Sequence, residues 1–340
     1  MIIDLTMDGM WGSCGKGGVS GWLAKRRTYD TVVCSYGTQA GHTYNDRSRN
    51  LSMMVQQLPV GVSGPTVKTV MLGPGSLIHA GTLQREIDRY LRSGQRLVIH
   101  EHAAVVRDEH ADREKQMGMT KIGSTTKGVG AAMVDRIMRD PSSNAIARLG
   151  FKGHPLEQFV VDKFEYDHIL KQSKSLLVEG AQGFGLSLYH GDWPYCTSRD
   201  VTPWQIAADC GLPFTWAPHI TIWMVMRTFP IRVNNRDGSS GPAYPGQKEV
   251  LWSDLGQQPE LTTVTKLPRR IFEFSDMQYD HAMWHCESLI TNTVLTFADY
   301  CGEDQLIDIL RQIQKTGRTV QYLCFGPDDA DIREVDHADL

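Results

Sequence analysis

The segment that decides the fold is residues 11–18, with the sequence WGSCGKGG. The apolar, β-prone run 2–7 precedes it, and the helix-like stretch 19–27 follows it. A strand, a glycine-rich turn and a helix in this order direct backbone N–H groups and the positive end of a helix dipole at one point, which suits a phosphate. The segment lacks the complete GxxxxGK[ST] pattern, so a plain glycine-rich turn remains open as an alternative.

The rest of the chain alternates short apolar runs with helical patterns. Leu83, Ile87 and Leu91 recur at four-residue spacing and predict a helix over about residues 81–92, and a second helix is expected over 304–315. Buried strands are predicted at residues 31–35, 67–72, 97–100, 176–178 and 319–324. Strands that alternate with helices indicate the α/β class, with a largely parallel central sheet flanked by helices. No linker divides the chain, and we expect a single large domain over residues 1–340.

The composition excludes several classes of protein. Lys and Arg number 35 and Asp and Glu number 39 among 340 residues, so the formal net charge of −4 argues against a general nucleic-acid-binding surface. Seven cysteines without a CxxC pair indicate neither a disulfide framework nor a structural zinc site. The first ten residues lack the basic region of a signal peptide, and the most apolar stretch, 220–226, is too short to cross a bilayer. We therefore expect a cytoplasmic protein without membrane or nucleic-acid partners.

Four further parts of the chain place chemically useful side chains in polar or glycine-rich loops. The His of QAGHT could hydrogen-bond a transferring phosphoryl group, and the donors of GSTTKGVG suit a monophosphate. The Gln of VEGAQG, followed by YCTS, could read a base edge, and the Arg and Thr residues of ELTTVTKLPRR suit carboxylates. Each part also fits an ordinary polar loop or a solvated basic surface. They occupy residues 39–43, 123–130, 178–183 with 195–198, and 260–270.

In this order, these segments resemble adenylosuccinate synthetase, and the resemblance extends from residue 1 to about residue 330. It also includes Arg232-Val233 and the FGPDD segment at residues 325–329. The resemblance implies a P-loop-related α/β enzyme that acts as a homodimer. Members of the family transfer the γ-phosphoryl group of a nucleoside triphosphate to O6 of a purine monophosphate, and the amino group of aspartate then displaces that phosphate.

The glycine-rich segment departs from the family pattern at the residue that matters most for chemistry. The family reads WGDEGKG there, and its Asp is both the catalytic base at purine N1 and a Mg²⁺ ligand, whereas this chain has Ser13 followed by Cys14. A shorter serine leaves room for a 2-amino group, and its oxygen can accept a hydrogen bond from that group. Guanine carries a 2-amino group and still has O6. The chain is therefore similar to phage relatives that condense dGMP with L-aspartate for 2-aminoadenine DNA.

A second departure concerns the phosphoryl donor. The family recognises the guanine of GTP through a TKxD motif, and residues 291–294 (TNTV) look like the corresponding stretch in this chain. The carboxylate that would bind guanine is absent from that stretch. The resemblance therefore implies ATP or dATP as the phosphoryl donor.

The resemblance also implies roles for individual residues. The expected catalytic residues are Ser13, Lys16 and His42, and the expected Mg²⁺ ligands are Ser13 and Gly41. The expected contacts to the phosphoryl donor are Gly12, Gly15, Lys16, Gly17, Gly41, His42, Thr43, Asn292, Gly326 and Pro327. The expected contacts to dGMP are Ser13, Ser124, Thr125, Gln182, Thr197 and, across the dimer interface, Arg139. The expected contacts to L-aspartate are Thr262, Thr263 and Arg269, and a further family arginine is replaced by Lys266 or Leu267.

Two matters stay open at this point. The proton on purine N1 could go to hydroxide on Mg²⁺, to a phosphate oxygen or to Asp8, which is close in sequence. The activity itself has two alternatives, an ordinary adenylosuccinate synthetase that uses IMP and a nucleotide-binding regulator that has lost its catalytic base.

Overall fold

A ten-stranded sheet forms the centre of the computed structural model, which describes residues 1–235, 239–262, 266–287 and 289–335. The strands in these residues are β1 (Ile2–Asp8), β2 (Thr31–Cys34), β3 (His42–Asp46), β4 (Leu51–Val55), β5 (Thr69–Leu72), β6 (Leu77–Ile78), β7 (Arg96–His100), β8 (Ala104–Val105), β9 (Val160–Val161), β10 (Ser175–Gly183), β11 (Ile220–Arg227), β12 (Ile231–Arg232), β13 (Glu249–Val250), β14 (Arg270–Phe272), β15 (Ile290–Thr296), β16 (Tyr322–Cys324) and β17 (Ile332–Glu334). The helices are α1 (Lys16–Arg26), α2 (Ala80–Tyr90), α3 (Asp108–Gln116), α4 (Val129–Met138), α5 (Ala147–Gly150), α6 (Lys163–Gln172), α7 (Pro203–Asp209), α8 (Asp276–Trp284) and α9 (Glu303–Lys315).

The central sheet has the strand order β17-β16-β15-β11-β1-β10-β2-β5-β7-β9. All its neighbouring strands are parallel except β16 and β17, which are antiparallel. Strand β1 is buried from its second residue onward, as expected for a parallel strand covered on both faces. The prediction of an α/β fold with a largely parallel central sheet is confirmed, whereas the single domain stays a prediction.

The carboxyl ends of three central strands meet at one edge of the sheet. Asp8, the last residue of β1, pairs with Gly183 of β10 on one side and with Val225 of β11 on the other. Because ligands of parallel sheets bind beyond the carboxyl ends of strands, this edge is where a site is expected. The glycine-rich segment 11–18 and the VEGAQG segment 178–183 both lie at this edge.

The sequence predicted most elements to within a few residues. Helix α1 begins at Lys16, three residues before the stretch that the sequence indicated. The turn before it ends at Gly15, whose φ of 80° is left-handed, and the helix can start directly after that residue. No helix in the described part of the chain combines the length and the apolar character that crossing a membrane requires.

Candidate active site

The carboxylate of Asp8 organises the glycine-rich segment. Its Oδ1 accepts hydrogen bonds from the backbone N–H groups of Met10 (2.9 Å) and Gly12 (3.3 Å), and its Oδ2 accepts one from Cys14 (3.1 Å). Asp8 is fully buried. Asp8 therefore anchors the backbone of the loop through both carboxylate oxygens.

Two side chains from neighbouring strands hold the carbonyl groups of the same loop. The guanidinium of Arg227, at the end of β11, donates a hydrogen bond to the carbonyl oxygen of Ser13 over 3.2 Å. The hydroxyl of Thr296, at the end of β15, donates to the carbonyl oxygen of Cys14 over 2.8 Å. Ser13 itself is exposed and has a left-handed φ of 58°. These two hydrogen bonds thus hold the loop backbone at Ser13 and Cys14, and the Ser13 side chain is exposed to solvent.

Sequence reasoning missed Arg227. The residue is 0% exposed, ion-pairs with Glu260 and lies with its guanidinium carbon 3.6 Å from the ring centre of Phe297. A signal was present, since a cation at the end of the apolar run 220–226 needs a buried partner. The partner could not be read from the sequence because Glu260 and Phe297 are distant in the chain.

Lys16 and Gly17 open helix α1 against strand β3. Lys16 is 6% exposed, and no acceptor in the described residues takes a hydrogen bond from its ammonium group. A Cβ atom on Gly17 would lie 2.7 Å from the carbonyl oxygen and 2.9 Å from the backbone nitrogen of Thr43. Only glycine allows this approach, which brings the start of α1 beside Gly41 and His42. Gly15, Gly41 and Thr43 are exposed at this point.

His42 is a buried imidazole next to the glycine-rich segment. It is 5% exposed and stacks on Tyr36 with 3.9 Å between ring centres and 5° between ring planes. Burial, with a smaller effect of the Lys16 charge, holds the pKa of His42 well below its usual value. His42 is therefore a neutral imidazole at pH 7 and can donate one hydrogen bond to a ligand.

The VEGAQG segment supplies support and a ligand-facing residue. Glu179 is fully buried and accepts hydrogen bonds from the Tyr36 hydroxyl (2.6 Å) and from the backbone N–H of Gly61 (2.6 Å). A Cβ atom on Gly183 would lie 2.4 Å from the backbone nitrogen of Gly12, so the two loops touch. Gln182, half-buried with a φ of 62°, is held directly beside the glycine-rich segment. Glu179 therefore supports the fold, and the contact of Gln182 with a ligand stays a prediction.

The GSTTKGVG and YCTS segments also meet. A Cβ atom on Gly130 would lie 2.9 Å from the hydroxyl oxygen of Ser198, and Thr197 bonds through its N–H to the carbonyl of Leu186 (2.7 Å). The first N–H groups of α4 are already bound by the carboxylate of Glu114. A phosphate in this region would therefore be bound by the loop that precedes α4, where Ser124 and Thr125 are half-buried, and not by the helix N-terminus.

Arg139 lies at the end of α4 opposite to the one that this loop precedes. It is exposed and follows the last residue of α4, whereas Ser124 and Thr125 precede the first. At 1.5 Å per residue, the ten residues of α4 separate the two ends by about 15 Å. The contact of Arg139 with a nucleotide phosphate across a dimer interface stays a prediction.

The candidate aspartate-binding loop, residues 260–270, adjoins Arg227 through Glu260. Leu261 and Pro268 form a bridge, and the backbone N–H of Arg269 donates to the carbonyl of Glu260 over 2.7 Å. Burial lowers the pKa of Arg269, while the Glu260 charge raises it. Thr262 is buried near the start of this loop, and Thr263 lies outside the described residues. Arg269 thus joins Arg227 around Glu260, close to Ser13.

The predicted contacts to the phosphoryl donor lie in two different parts of the fold. Asn292 lies inside β15, paired with Trp223, four residues before the strand ends at Thr296. The segment that leaves β15 at the carboxyl edge is 296–299, with the sequence TFAD. This segment also matches part of TKxD and contains a carboxylate, Asp299, so the assignment of residues 291–294 to the donor base stays a prediction. The other predicted contacts, Gly326 and Pro327, adjoin β3, since the amide of Asn45 donates to the carbonyl of Pro327 over 3.2 Å.

These features define a nucleotide-binding α/β protein with its site at the carboxyl edge of a parallel sheet. The profile of the adenylosuccinate synthetase family matches residues 7–148 and 142–337. The chain belongs to the adenylosuccinate synthetase family, as the resemblance predicted.

Individual relatives are more specific. The chain is 40% identical to the N6-succino-2-amino-2′-deoxyadenylate synthase of Vibrio phage phiVC8, over 98% of both chains. It is 31% identical to the adenylosuccinate synthetase of Thermococcus onnurineus, over 81% of this chain and 78% of the relative. Its structure matches the succinoaminodeoxyadenylate synthetase of cyanophage S-2L, bound to dGMP and to dATP as an energy donor, with a TM-score of 0.91, 38% identity and coverage of 98% and 95%. The fully ligated adenylosuccinate synthetase of Plasmodium falciparum shares the fold, with a TM-score of 0.78 at 18% identity, covering 98% of this chain and 100% of the other.

Proposed function

We propose that this protein is a ligase that condenses dGMP with L-aspartate at the expense of ATP or dATP. The product is N6-succino-2-amino-2′-deoxyadenylate, a precursor of 2-aminoadenine in phage DNA. The observation that carries the proposal is the exposed Ser13 at the tip of an otherwise rigid loop, where the family has a carboxylate. Relatives that share about 40% of their residues with this chain bear the name of this activity, and the cyanophage relative binds dGMP and dATP.

The chemistry consists of activation followed by displacement. The γ-phosphoryl group moves from the triphosphate to O6 of the purine as the proton on N1 is released, which turns a poor leaving group into a good one. The amine of aspartate then forms a bond to C6 and loses a proton, and the C6–O6 bond breaks to release phosphate. Catalysis of both steps rests on positioning and on charge neutralisation. Lys16 supplies a positive charge without a competing partner in the described residues, and neutral His42 donates a hydrogen bond to the moving phosphoryl group.

The loop also fits Mg²⁺. The proposed ligands are the hydroxyl of Ser13 and the carbonyl of Gly41, two hard oxygen donors on exposed residues that flank the start of α1. Mg²⁺ takes few protein ligands at such sites and completes its shell with substrate phosphates and water. When bound, the ion neutralises charge on the triphosphate.

The outer surface of α4 supports a homodimer. Val134, Ile137 and Met138 are 54%, 65% and 70% exposed, an apolar group at helical spacing that is costly to leave in water. Arg139 follows them directly. A dimer formed through this surface would cover the apolar group and carry Arg139 toward the nucleotide phosphate of the partner subunit.

The test is a substrate comparison with purified protein, L-aspartate, Mg²⁺ and either ATP or dATP. We expect the succinylamino product from dGMP, with less from GMP or IMP. A product from IMP alone would identify an ordinary adenylosuccinate synthetase. No product from any purine, with nucleotide binding retained, would identify a regulator.

A further inference from the structure

Three histidines lie around the ring of Phe184, and none of them is among the residues proposed to bind the nucleotides or aspartate. Each of His190, His281 and His285 offers one ring nitrogen, and these nitrogens lie within 4.8 Å of one another. His281 lies on α8, and His285 is four residues later at the C-terminal end of the same helix, so both project from one face. His190 comes from the loop that follows β10, and its ring centre is 4.3 Å from that of His285.

The state of these rings suits metal binding. Nε2 of His285 is buried and has no hydrogen-bond partner in the described residues, which is unusual for a native polar atom. The hydroxyl of Tyr244 lies 3.1 Å from Nδ1 of His281. If Nδ1–H donates to this hydroxyl, Nε2 is left as the ligand, the arrangement that metal-bound histidines commonly have.

We propose that His190, His281 and His285 bind one divalent transition-metal ion such as Zn²⁺. Imidazole suits Zn²⁺, Co²⁺ and Ni²⁺ and does not suit Mg²⁺, so this site is chemically separate from the nucleotide site. Ring nitrogens bound to a tetrahedral Zn²⁺ at 2.0–2.1 Å lie about 3.3 Å apart. Rotation of the imidazoles closes the remaining distance.

Solvent can reach the site. A cavity of about 290 Å³ borders His285 and is also lined by Trp204, Trp284 and Glu287. A catalytic-type zinc site with three histidines keeps a fourth position for water, and this cavity provides the space for it. Asp200, whose Oδ1 is 3.8 Å from Nε2 of His190, can orient that ring.

A bound ion would connect α8 to the wall of the active site. The same part of the chain as His190 also includes Leu186, whose Cδ1 would lie 3.7 Å from a Cβ atom on Gly12, and Thr197. Fixing His190 therefore limits the motion of residues next to the nucleotide. The metal in this proposal has a positioning role and takes no part in the phosphoryl transfer.

The first experiment titrates Co²⁺ into protein without a histidine tag, in a large excess of Mg²⁺ to fill the nucleotide site. We expect one equivalent of Co²⁺ to give visible ligand-field absorption that Zn²⁺ abolishes by competition. Zn²⁺ should also raise Tm, because an ion that binds only the folded state stabilises it. An absence of Co²⁺ absorption in the unmodified protein overturns the proposal without any variant.

The second experiment locates the ion. His281→Ala and the milder His285→Gln should abolish the Co²⁺ absorption and the rise in Tm. His219→Ala, at an exposed histidine outside the cluster, should leave both unchanged. Circular dichroism confirms that each variant is folded. One equivalent of Co²⁺ bound equally by folded His285→Gln and by the unmodified protein would place the ion elsewhere and overturn the assignment.

Discussion

The guanidinium of Arg227 donates a hydrogen bond to the backbone carbonyl of Ser13 over 3.2 Å and stacks on Phe297 beneath it. This contact joins the end of β11 to the tip of the glycine-rich loop. Ser13 has a left-handed backbone, a conformation that a serine holds only when its surroundings enforce it. Arg227 thereby fixes the backbone position from which the Ser13 side chain projects.

Replacing Arg227 should impair catalysis more than an ordinary surface change. Arg227→Gln removes the bond to Ser13 and leaves Glu260 without its partner. We expect kcat/KM for dGMP to fall about 100-fold, as for a displacement of about 1 Å in a reacting group. The free energy of unfolding should fall by about 2 kcal/mol, less than for a fully buried pair because Glu260 is partly exposed.

The matched control is Arg96→Gln, which breaks a half-exposed pair with Glu165. Steady-state kinetics should show no change in kcat/KM. Urea unfolding should show a loss of less than about 1 kcal/mol in the free energy of unfolding. An Arg227→Gln enzyme with the kcat/KM of the unmodified protein would show that the loop does not need this contact.

Restoring a carboxylate at position 13 should change nucleotide selectivity. In Ser13→Asp the longer side chain crowds the 2-amino group of guanine, and we expect weaker use of dGMP, by about tenfold or more, relative to IMP. Asp and Asn both tolerate the left-handed φ of this position. Asn has nearly the size of Asp but no charge, so Ser13→Asn separates the two effects. If the cause is steric, both variants should use dGMP less well. Unchanged or better turnover of dGMP by Ser13→Asp contradicts the steric account.

Two adjacent glycines of α1 should respond in opposite ways to alanine. In Gly17→Ala the new Cβ meets the backbone of Thr43 below 3.0 Å, and we expect a loss of about 2 kcal/mol in the free energy of unfolding, together with most of the activity. In Gly18→Ala nothing lies within 4 Å, so the better helix propensity of alanine should add about 0.5–1 kcal/mol. Urea unfolding measures both. Equal effects of the two substitutions would show that close packing is not what requires glycine at position 17.

His100 should make stability depend on pH. Burial lowers the pKa of His100 to about 4, and its unfolded value is about 6.5. Between these values the unfolded chain binds more protons than the folded one, so the contribution is complete above pH 6.5 and is lost as the pH falls toward 4. The loss amounts to about 3 kcal/mol.

The test uses His100→Asn, because the Asn oxygen can accept the N–H bond that Nδ1 of His100 accepts from His102. Unfolding is measured by urea at several pH values between 4 and 7. The difference between the variant and the unmodified protein should shrink as the pH falls. A difference that is constant over this range would show that His100 titrates normally.

Local patterns in the sequence predicted the elements around the site, because strand, turn and helix propensities act over a few residues. The stretches TNTV and TFAD both match part of TKxD, and only the structure shows that the first lies inside β15 and the second leaves its carboxyl end. Similarly, the spacing of His281 and His285 is visible in the sequence, whereas His190 joins them only through the fold.

The sequence by itself determined the family, the α/β class and the serine that replaces a catalytic carboxylate, because motif identity and order survive without coordinates. Only the tertiary structure decided that Asp8 anchors the loop, that Arg227 supports Ser13 and that Arg139 follows the last residue of α4 while Ser124 and Thr125 precede its first. These relationships join residues from separate strands and helices. Their partners are chosen by strand order and burial, which no local stretch of sequence contains.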